Sequence, residues 1–140
     1  GHYEHSVFYV QQFVEKPGRD VRVVTLDGEP LAAMTRSSDH WLTNAATGAE
    51  TAAFDLDDEA ERLAREASAA VGGGLLGVDL MELGDGADAD YTVHEVNHTV
   101  EFKALNAAVD VDVAAGIVDW LEGKFAAEDD TATAAPEVEP

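Results

Sequence analysis

Residues 75–97 read LLGVDLMELGDGADADYTVHEVN, and this stretch decides the fold. Leu75–Leu83 is rich in apolar residues, Gly84–Asp90 contains only Gly, Asp and Ala, and Tyr91–Asn97 returns to β-prone residues. Two such runs joined by a short Gly- and Asp-rich loop are typical of a β-hairpin. The sequence therefore predicts two paired strands with a polar loop between them.

Three side chains of this hairpin carry candidate metal chemistry. In a hairpin symmetric about Ala87, Asp79 lies opposite Glu95, and Asn97 follows on the same face as Glu95. Two opposed carboxylates repel unless a positive group lies between them, and carboxylate and amide oxygens are ligands of Mg²⁺. The pattern predicts a Mg²⁺ site at these three residues. Since 29 of the 140 residues are acidic, the alternative is a solvated strand face.

The segments on either side of the hairpin complete an α+β pattern. Asp20–Leu26 alternates like a strand, and Asp27-Gly28 predicts a tight turn into a partner strand at Pro30–Arg36. The other predicted elements are a strand at Phe8–Val14, a loop at Ser37–Ala52, a helix at Asp57–Val71 with Asp55 or Asp57 as N-cap, and a last helix from Asp110 or Asp112 to about Phe125. We expect a mainly antiparallel sheet covered by helices.

Composition limits the possible functions. The chain has 8 basic against 29 acidic residues and a net charge of -21. It contains no cysteine, and the lack of cysteine excludes disulfides, thiolate zinc sites and thiol nucleophiles. A net negative charge of this size repels nucleic-acid phosphates and anionic membrane surfaces. No apolar run approaches the ~20 residues that a membrane-spanning helix needs. We expect neither nucleic acid nor membrane as a partner. Evenly spread acidity predicts a cytoplasmic protein from a salt-loving organism, the alternative being an ordinary acidic domain.

Five segments together resemble one known family. QQFVEKPGRDVR, at Gln11–Arg22, resembles the nucleotide hinge of RimK-like ATP-grasp ligases, most closely the LysX/ArgX type, although Gln12 stands where the family usually has Glu. The other segments are Arg36 followed by HWLTN ending at Asn44, GVDLME around Asp79, HEVNHTVEFK at His94–Lys103, and the helix VDVAAGIVDWL. The resemblance covers roughly residues 8 to 122 and implies the C-terminal part of an ATP-grasp domain.

Domain boundaries follow from the resemblance and from composition. We expect a partial ATP-grasp domain over residues 1–125. The final residues, 126–140, read AAEDDTATAAPEVEP, which has two prolines and no apolar face, so we expect a disordered acidic tail. Family members carry an N-terminal domain and a phosphate-covering segment before the hinge. The resemblance therefore implies a fragment that is inactive alone.

The resemblance also implies a role for each matched residue. The implied ATP-binding residues are Gln11, Gln12, Phe13, Val14, Lys16, Arg19, Asp20, Arg22, Arg36 and Asn44. Arg36 and Asn44 are in addition the implied catalytic pair, lying over the phosphates and the reacting acyl group. Asp79, Glu95 and Asn97 are the implied ligands of Mg²⁺ ions that bridge the ATP phosphates. The implied substrate-binding residues are Ala45, Glu101, Phe102, Lys103, Ala104 and Leu105.

The implied reaction is ATP-dependent and passes through an acyl-phosphate. It joins glutamate or α-aminoadipate to the C-terminal glutamate of an acidic amino-group carrier protein in arginine and lysine biosynthesis, and we expect a homo-oligomer. Ala104-Leu105, a small residue before a large apolar one, is nearer to the Gly-Phe of glutamate users than to the Asn-small pair of aminoadipate users. We therefore expect glutamate to be preferred, with Leu105 shortening the pocket.

Two other functions stay open from the sequence. One is a RimK-like γ-glutamyl ligase that acts on a cofactor or a ribosomal protein. The other is a non-catalytic acidic domain. The EFK segment, Glu101–Lys103, favours the carrier-dependent ligase, and convergence of Asp79, Glu95 and Asn97 on one point would argue against the non-catalytic domain.

Overall fold

The structure, a computed structural model, describes residues 10–15, 17–37, 50–84 and 90–133. Its elements in chain order are β1 (Arg19–Leu26), β2 (Glu29–Ser37), β3 (Glu50–Ala53), α1 (Asp58–Ala70), β4 (Leu75–Leu83), β5 (Asp90–Asn97), α2 (Lys103–Ala108) and α3 (Val113–Thr133). The strands form one sheet in the order β3-β2-β1-β4-β5, and every pairing is antiparallel. The predicted α+β class, an antiparallel sheet with covering helices, is confirmed.

Each face of the sheet carries its own apolar layer. The layer under α1 consists of Val21, Val23, Ala33, Val78 and Leu80 from the strands and Ala60 and Ala64 from the helix. The layer under α2 and α3 consists of Val24, Leu26 and Met34 from the strands and Leu105, Val113 and Ile117 from the helices. Because successive strand residues point to opposite faces, Asp20 and Arg22 lie on the second face, which they share with Val24.

The first helix begins where the sequence predicts. Asp57 is its N-cap, and its Oδ1 accepts a hydrogen bond from Ala60 N at 2.8 Å. The same carboxylate accepts the hydroxyl of Tyr91 at 2.8 Å, so the cap also ties α1 to β5. Burial and this hydrogen bond raise the pKa of the Tyr91 hydroxyl. Gly72, Gly73 and Gly74 all have positive φ and turn the chain into β4.

The structure differs from the prediction near the N-terminus and after the second strand. Residues 10–15 form no strand, and Val10 and Phe13 are 89% and 73% exposed, since the described sheet offers them no strand to pair with. Phe8 and Tyr9 lie outside the described residues. The predicted loop at Ser37–Ala52 contains β3, whose weakly β-prone residues are held by pairing with β2.

The last helix is longer than the sequence predicts. It begins after Asp112, whose carboxylate accepts a hydrogen bond from Ala115 N at 3.0 Å, as the capping prediction requires. It continues to Thr133, so the expected tail from residue 126 is wrong for residues 126–133. Three of these eight residues are Ala and one is Glu, which have high helix propensity, and they extend the helix beyond the part that packs on the sheet. Residues 134–140 lie outside the described part of the chain. In that part, no helix is long and apolar enough to span a membrane.

Candidate functional site

Four charged side chains from the three central strands meet on the sheet face that carries α2 and α3. The register pairs Asp20 with Arg36 and Arg22 with Asp79. Arg36 donates from Nε to Asp20 Oδ1 at 2.8 Å, and its Nη2 lies 3.2 Å from Asp79 Oδ1. Arg22 donates from Nη2 to Asp79 Oδ2 at 2.8 Å and from Nε to Asp79 Oδ1. Asp79 therefore lies between two guanidinium groups, and Arg36 bridges two carboxylates.

This four-residue cluster is buried and electrically balanced. Asp20, Arg36 and Asp79 are only 5%, 8% and 3% exposed. Burial would lower the pKa of the Arg36 guanidinium, but the bonds and charges of Asp20 and Asp79 outweigh it and raise that pKa. Charges this deep persist only when they are paired. The cluster is therefore a fixed polar unit within the sheet.

The predicted relationship between Asp79 and Glu95 is confirmed. The two residues are cross-strand partners, and Asn97 pairs with Gly77 one step further along the same face. The predicted symmetry about Ala87 is wrong, since the register shifts between Asp79 and Leu80. Leu80 pairs with Val93, which makes His94 an extra residue in β5. Glu95 is exposed and Asn97 is half-buried, so both are accessible from the side of Asp79.

Arginine side chains already supply the positive charge that the sequence pattern predicts for a metal ion. Arg22 and Arg36 neutralise Asp79, and among the described residues no group of three or more His, Cys, Asp or Glu side chains comes together to hold a metal. The donor set of Asp79, Glu95 and Asn97 still fits Mg²⁺. It offers two carboxylates and an amide, and Mg²⁺ keeps several of its own waters. An ion there would share Asp79 with the arginines.

Arg19 is not brought to this cluster. It lies on the α1 face, where its Nε and Nη2 donate to Glu82 at 2.6 and 2.7 Å, and the Glu82 carboxylate raises its pKa. The alternation of side chains along β1 separates it from Asp20 and Arg22. Its predicted contact with ATP stays a prediction that this placement does not favour.

The remaining predicted ATP and catalytic residues lie in the hinge or outside the described chain. Gln11, Gln12 and Phe13 are exposed and Val14 is half-buried in the segment before β1. Their contact with adenine stays a prediction. Lys16, Asn44 and Ala45 lie outside the described residues.

The predicted substrate segment divides into exposed and buried residues. Glu101 and Lys103 are exposed, and Phe102 and Ala104 are half-buried against the second apolar layer. Leu105 is fully buried in that layer. That Leu105 shortens a substrate pocket stays a prediction that this placement does not favour, because its side chain is part of the core beneath α2.

Two features of this region are not predicted by the sequence patterns. Gly77 lies under the guanidinium of Arg22, and the signal was its position two residues before Asp79, on the same strand face. Asp27, at the β1–β2 turn, accepts hydrogen bonds from Gly74 N at 2.9 Å, Trp120 Nε1 at 2.8 Å and Lys124 Nζ at 2.9 Å. No local sequence pattern predicts contacts between residues almost one hundred positions apart, such as Asp27 and Trp120.

The family follows from the match of this fold and these segments to known proteins. The sequence profile of the RimK-like ATP-grasp domain matches residues 3–121. This chain belongs to the RimK-like ATP-grasp family.

Three curated relatives show the range of the family. The α-aminoadipate–LysW ligase LysX of Saccharolobus solfataricus is 36% identical over 99 residues, covering 70% of this chain and 35% of the relative. The tetrahydromethanopterin:α-L-glutamate ligase of Methanococcus maripaludis is 32% identical over 118 residues, covering 82% of this chain and 39% of the relative. The glutamate–LysW ligase ArgX of Sulfolobus acidocaldarius is 26% identical over 122 residues, covering 86% of this chain and 42% of the relative. The chain thus spans well under half the length of these relatives.

A solved structure shares the fold. The ATP-grasp ligase PsnB, complexed with a minimal precursor, Mg and ADP, has a TM-score of 0.60 and 25% identity, over 78% of this chain and 32% of that chain. The similarity supports the identification of the sheet and its helices as part of an ATP-grasp domain.

Proposed function

We propose that this chain provides part of the active site of an ATP-dependent carboxylate–amine ligase. The observation that carries the proposal is the cluster of Arg22, Arg36 and Asp79, which lies beside Glu95 and Asn97 on one sheet face. These residues stand in the segments that resemble the family's nucleotide and metal motifs. Membership in the RimK-like ATP-grasp family supports the same chemistry.

The charge of the cluster argues for a divalent ion with the nucleotide. Asp20 and Asp79 cancel Arg22 and Arg36, and Glu95 adds a further negative charge. In a chain of net charge -21, such a face does not attract ATP on its own. Mg²⁺ held by Asp79, Glu95 and Asn97 would supply the missing positive charge and polarise the phosphates. The proposal therefore takes ATP and Mg²⁺ as cofactors.

The proposed reaction has two steps. In the first, a carboxylate oxygen of the acceptor forms a bond to the γ-phosphorus of ATP, the bond from that phosphorus to the β,γ-bridging oxygen breaks, and ADP leaves. In the second, the amine of the amino acid, which has lost one proton to solvent, forms a bond to the acyl carbon, and its nitrogen then gives a second proton to solvent. The bond from that carbon to the phosphorylated oxygen breaks, and phosphate leaves with that oxygen.

The arginines supply charge stabilisation and positioning in both steps. Each guanidinium is fixed by carboxylates before substrate arrives, so little reorganisation is needed when negative charge develops nearby. Arg36, held by both Asp20 and Asp79, is the more firmly fixed of the two. We assign Arg36 to the transferred phosphoryl group and Arg22 to the orientation of Asp79.

The proposed acceptor is the C-terminal glutamate of an acidic amino-group carrier protein, and the proposed amine is that of glutamate or α-aminoadipate. The similarity to relatives named as LysW ligases, one for each amino acid, supports this choice. A second candidate is a glutamate ligase that acts on a small cofactor, favoured by the 32% identity to the tetrahydromethanopterin ligase.

The test of the proposal is ADP release by the full-length protein. We expect release over many turnovers to require Mg²⁺, an amino acid and a carrier ending in glutamate together, because without the amine the acyl-phosphate is not consumed. Release with tetrahydromethanopterin in place of the carrier would support the second candidate. No release with either acceptor would contradict the ligase assignment.

A further inference from the structure

The backbone conformation of Gly77 does not require a glycine. Gly77 lies in the interior of β4 and is buried, and it is not among the glycines with positive φ. Glycine inside a strand weakens the strand, because it has no side chain to pack and loses more conformational freedom than other residues. A residue of this kind in a central strand indicates that something else needs the space above it.

The guanidinium of Arg22 fills that space. A β-carbon placed on Gly77 would lie 3.1 Å from Arg22 Nη1, 3.4 Å from Cδ and 3.5 Å from Cζ. Arg22 pairs across the strands with Asp79, and its side chain lies over β4 from Gly77 to Asp79. Both ends of the arginine head group are thus constrained, by the bare backbone at Gly77 and by the carboxylate at Asp79.

We propose that Gly77 is a positioning residue that seats Arg22, so that Arg22 holds both oxygens of Asp79 in the orientation that the divalent ion and nucleotide require. This proposal rests on the proposed ligase function. An added methyl group at Gly77 forces Arg22 to shift by a few tenths of an ångström. The side chain of Arg22 is only 12% exposed, so it has little room to yield without losing one of its two bonds.

The test is a double-mutant cycle with Gly77→Ala and Arg22→Lys. Lysine lacks the Nη1 atom that lies over Gly77, so Gly77→Ala should matter only while Arg22 is present. We expect Gly77→Ala alone to weaken Mn²⁺ affinity, measured by electron paramagnetic resonance in the presence of ATP, and to lower kcat, each roughly 10- to 100-fold. In the Arg22→Lys background it should change either quantity less than twofold. Equal losses in both backgrounds would overturn the proposal.

A second measurement does not depend on catalysis. The Nε–H resonance of Arg22, assigned by its loss in Arg22→Lys, can be followed by ¹⁵N NMR in the nucleotide-free protein. Gly77→Ala should move this resonance towards that of an unpaired arginine, and an unchanged resonance would overturn the proposal even if activity fell. A moved resonance in a protein without ligase activity would support the positioning of Arg22 by Gly77 and would contradict the proposed ligase function.

Two further variants test whether any added methyl group, or a loss of folding, explains the effect of Gly77→Ala. Gly123 in α3 has no atom within 4 Å of an added β-carbon, so Gly123→Ala should leave the resonance, Mn²⁺ affinity and kcat unchanged. If Gly77→Ala does not fold, the double variant with Arg22→Lys should restore folding. Failure of both to fold would contradict a clash with Arg22.

Discussion

Arg22 donates two hydrogen bonds to the carboxylate of Asp79 across the two central strands of the sheet. A paired geometry of this kind fixes the plane of the carboxylate as well as its charge. It also removes the repulsion that two opposed carboxylates, Asp79 and Glu95, would otherwise feel. The consequences for folding and for catalysis can be separated experimentally, because Asp79 is buried and Glu95 is exposed.

Replacing Asp79 by Ala should destabilise the fold. The substitution leaves the buried guanidinium of Arg22 without its partner, and breaking a buried pair costs about 3–5 kcal/mol. We expect the lower end, because Arg36 keeps Asp20. Urea unfolding in molar KCl, where self-repulsion is screened, measures the change. Glu122→Ala, at an exposed position of α3, is the control and should stay within about 0.5 kcal/mol. A similar small change for Asp79→Ala would contradict a structural role of the pair.

Replacing Glu95 by Gln should leave the stability unchanged and should lower ATP turnover. The side chain is exposed, so the free energy of unfolding should change by less than about 0.5 kcal/mol. The proposed Mg²⁺ site loses a charged ligand, and we expect Mg²⁺-dependent ATP turnover to fall roughly a hundredfold. Turnover titrated with Mg²⁺ is the measurement, with Glu122→Gln as the matched control. Unchanged turnover at all Mg²⁺ concentrations would remove Glu95 from the site.

Replacing Leu105 by Ala should lower stability rather than alter substrate choice. The side chain is fully buried among Val24, Met34 and Val113, and truncating such a leucine costs about 2–5 kcal/mol. The ratio of kcat/KM for glutamate and α-aminoadipate should stay within about twofold, since a core residue does not touch substrate. A stable variant with a shifted ratio would show that Leu105 reaches the pocket.

The contribution of Asp27 to stability should disappear in acid. Its bonds to Lys124 and then Trp120 hold the pKa of the Asp27 carboxyl below its ordinary value of 3.8. A lowered folded pKa gives stability that is complete above the ordinary value and is lost as the pH falls through the folded value. The melting temperature of the wild type should exceed that of Asp27→Asn at pH 5–7, and the difference should vanish on acidification below that folded value. A difference that persists there would contradict this linkage. Asn tolerates the positive φ of 50° at this position, which makes it a matched replacement.

Salt should stabilise the protein if its acidity is an adaptation to salt. Self-repulsion in a chain of net charge -21 weakens as KCl screens it, so the melting temperature should rise from low to molar KCl. The exposed pairs of Arg62 with Glu59 and Glu66 weaken at the same time, but such pairs contribute little each. A flat or falling melting temperature would contradict the halophilic interpretation.

The sequence predicted the elements that local patterns determine. The tight turn at Asp27-Gly28 and the N-cap at Asp57 are signalled within a few residues, and both were found. The opposition of Asp79 and Glu95 followed from the loop length, although the bulge at His94 breaks the symmetry used to derive it. What the sequence did not predict depends on pairing between distant segments.

The pairing of β1 with β4 is the clearest case. It brings Arg22 to Asp79 over a separation of 57 residues, and no period or turn signal encodes it. The resemblance to the family assigns Leu105 to a pocket, and α2 is too short to show a helical period that would indicate its place in the core. The α3 extension was missed because a polar helix and a polar tail have the same composition.

The most direct test of the account follows one oxygen atom. If the full-length protein forms an acyl-phosphate, a carrier labelled with ¹⁸O in the carboxylates of its C-terminal glutamate should transfer one label to inorganic phosphate for each amide formed. Mass spectrometry of the phosphate after reaction with Mg²⁺, ATP and glutamate measures this transfer. We predict one ¹⁸O per phosphate, with the yield lost together with turnover in Glu95→Gln. Amide formation that leaves the phosphate unlabelled would contradict the proposed mechanism, and the absence of amide would contradict the proposed function.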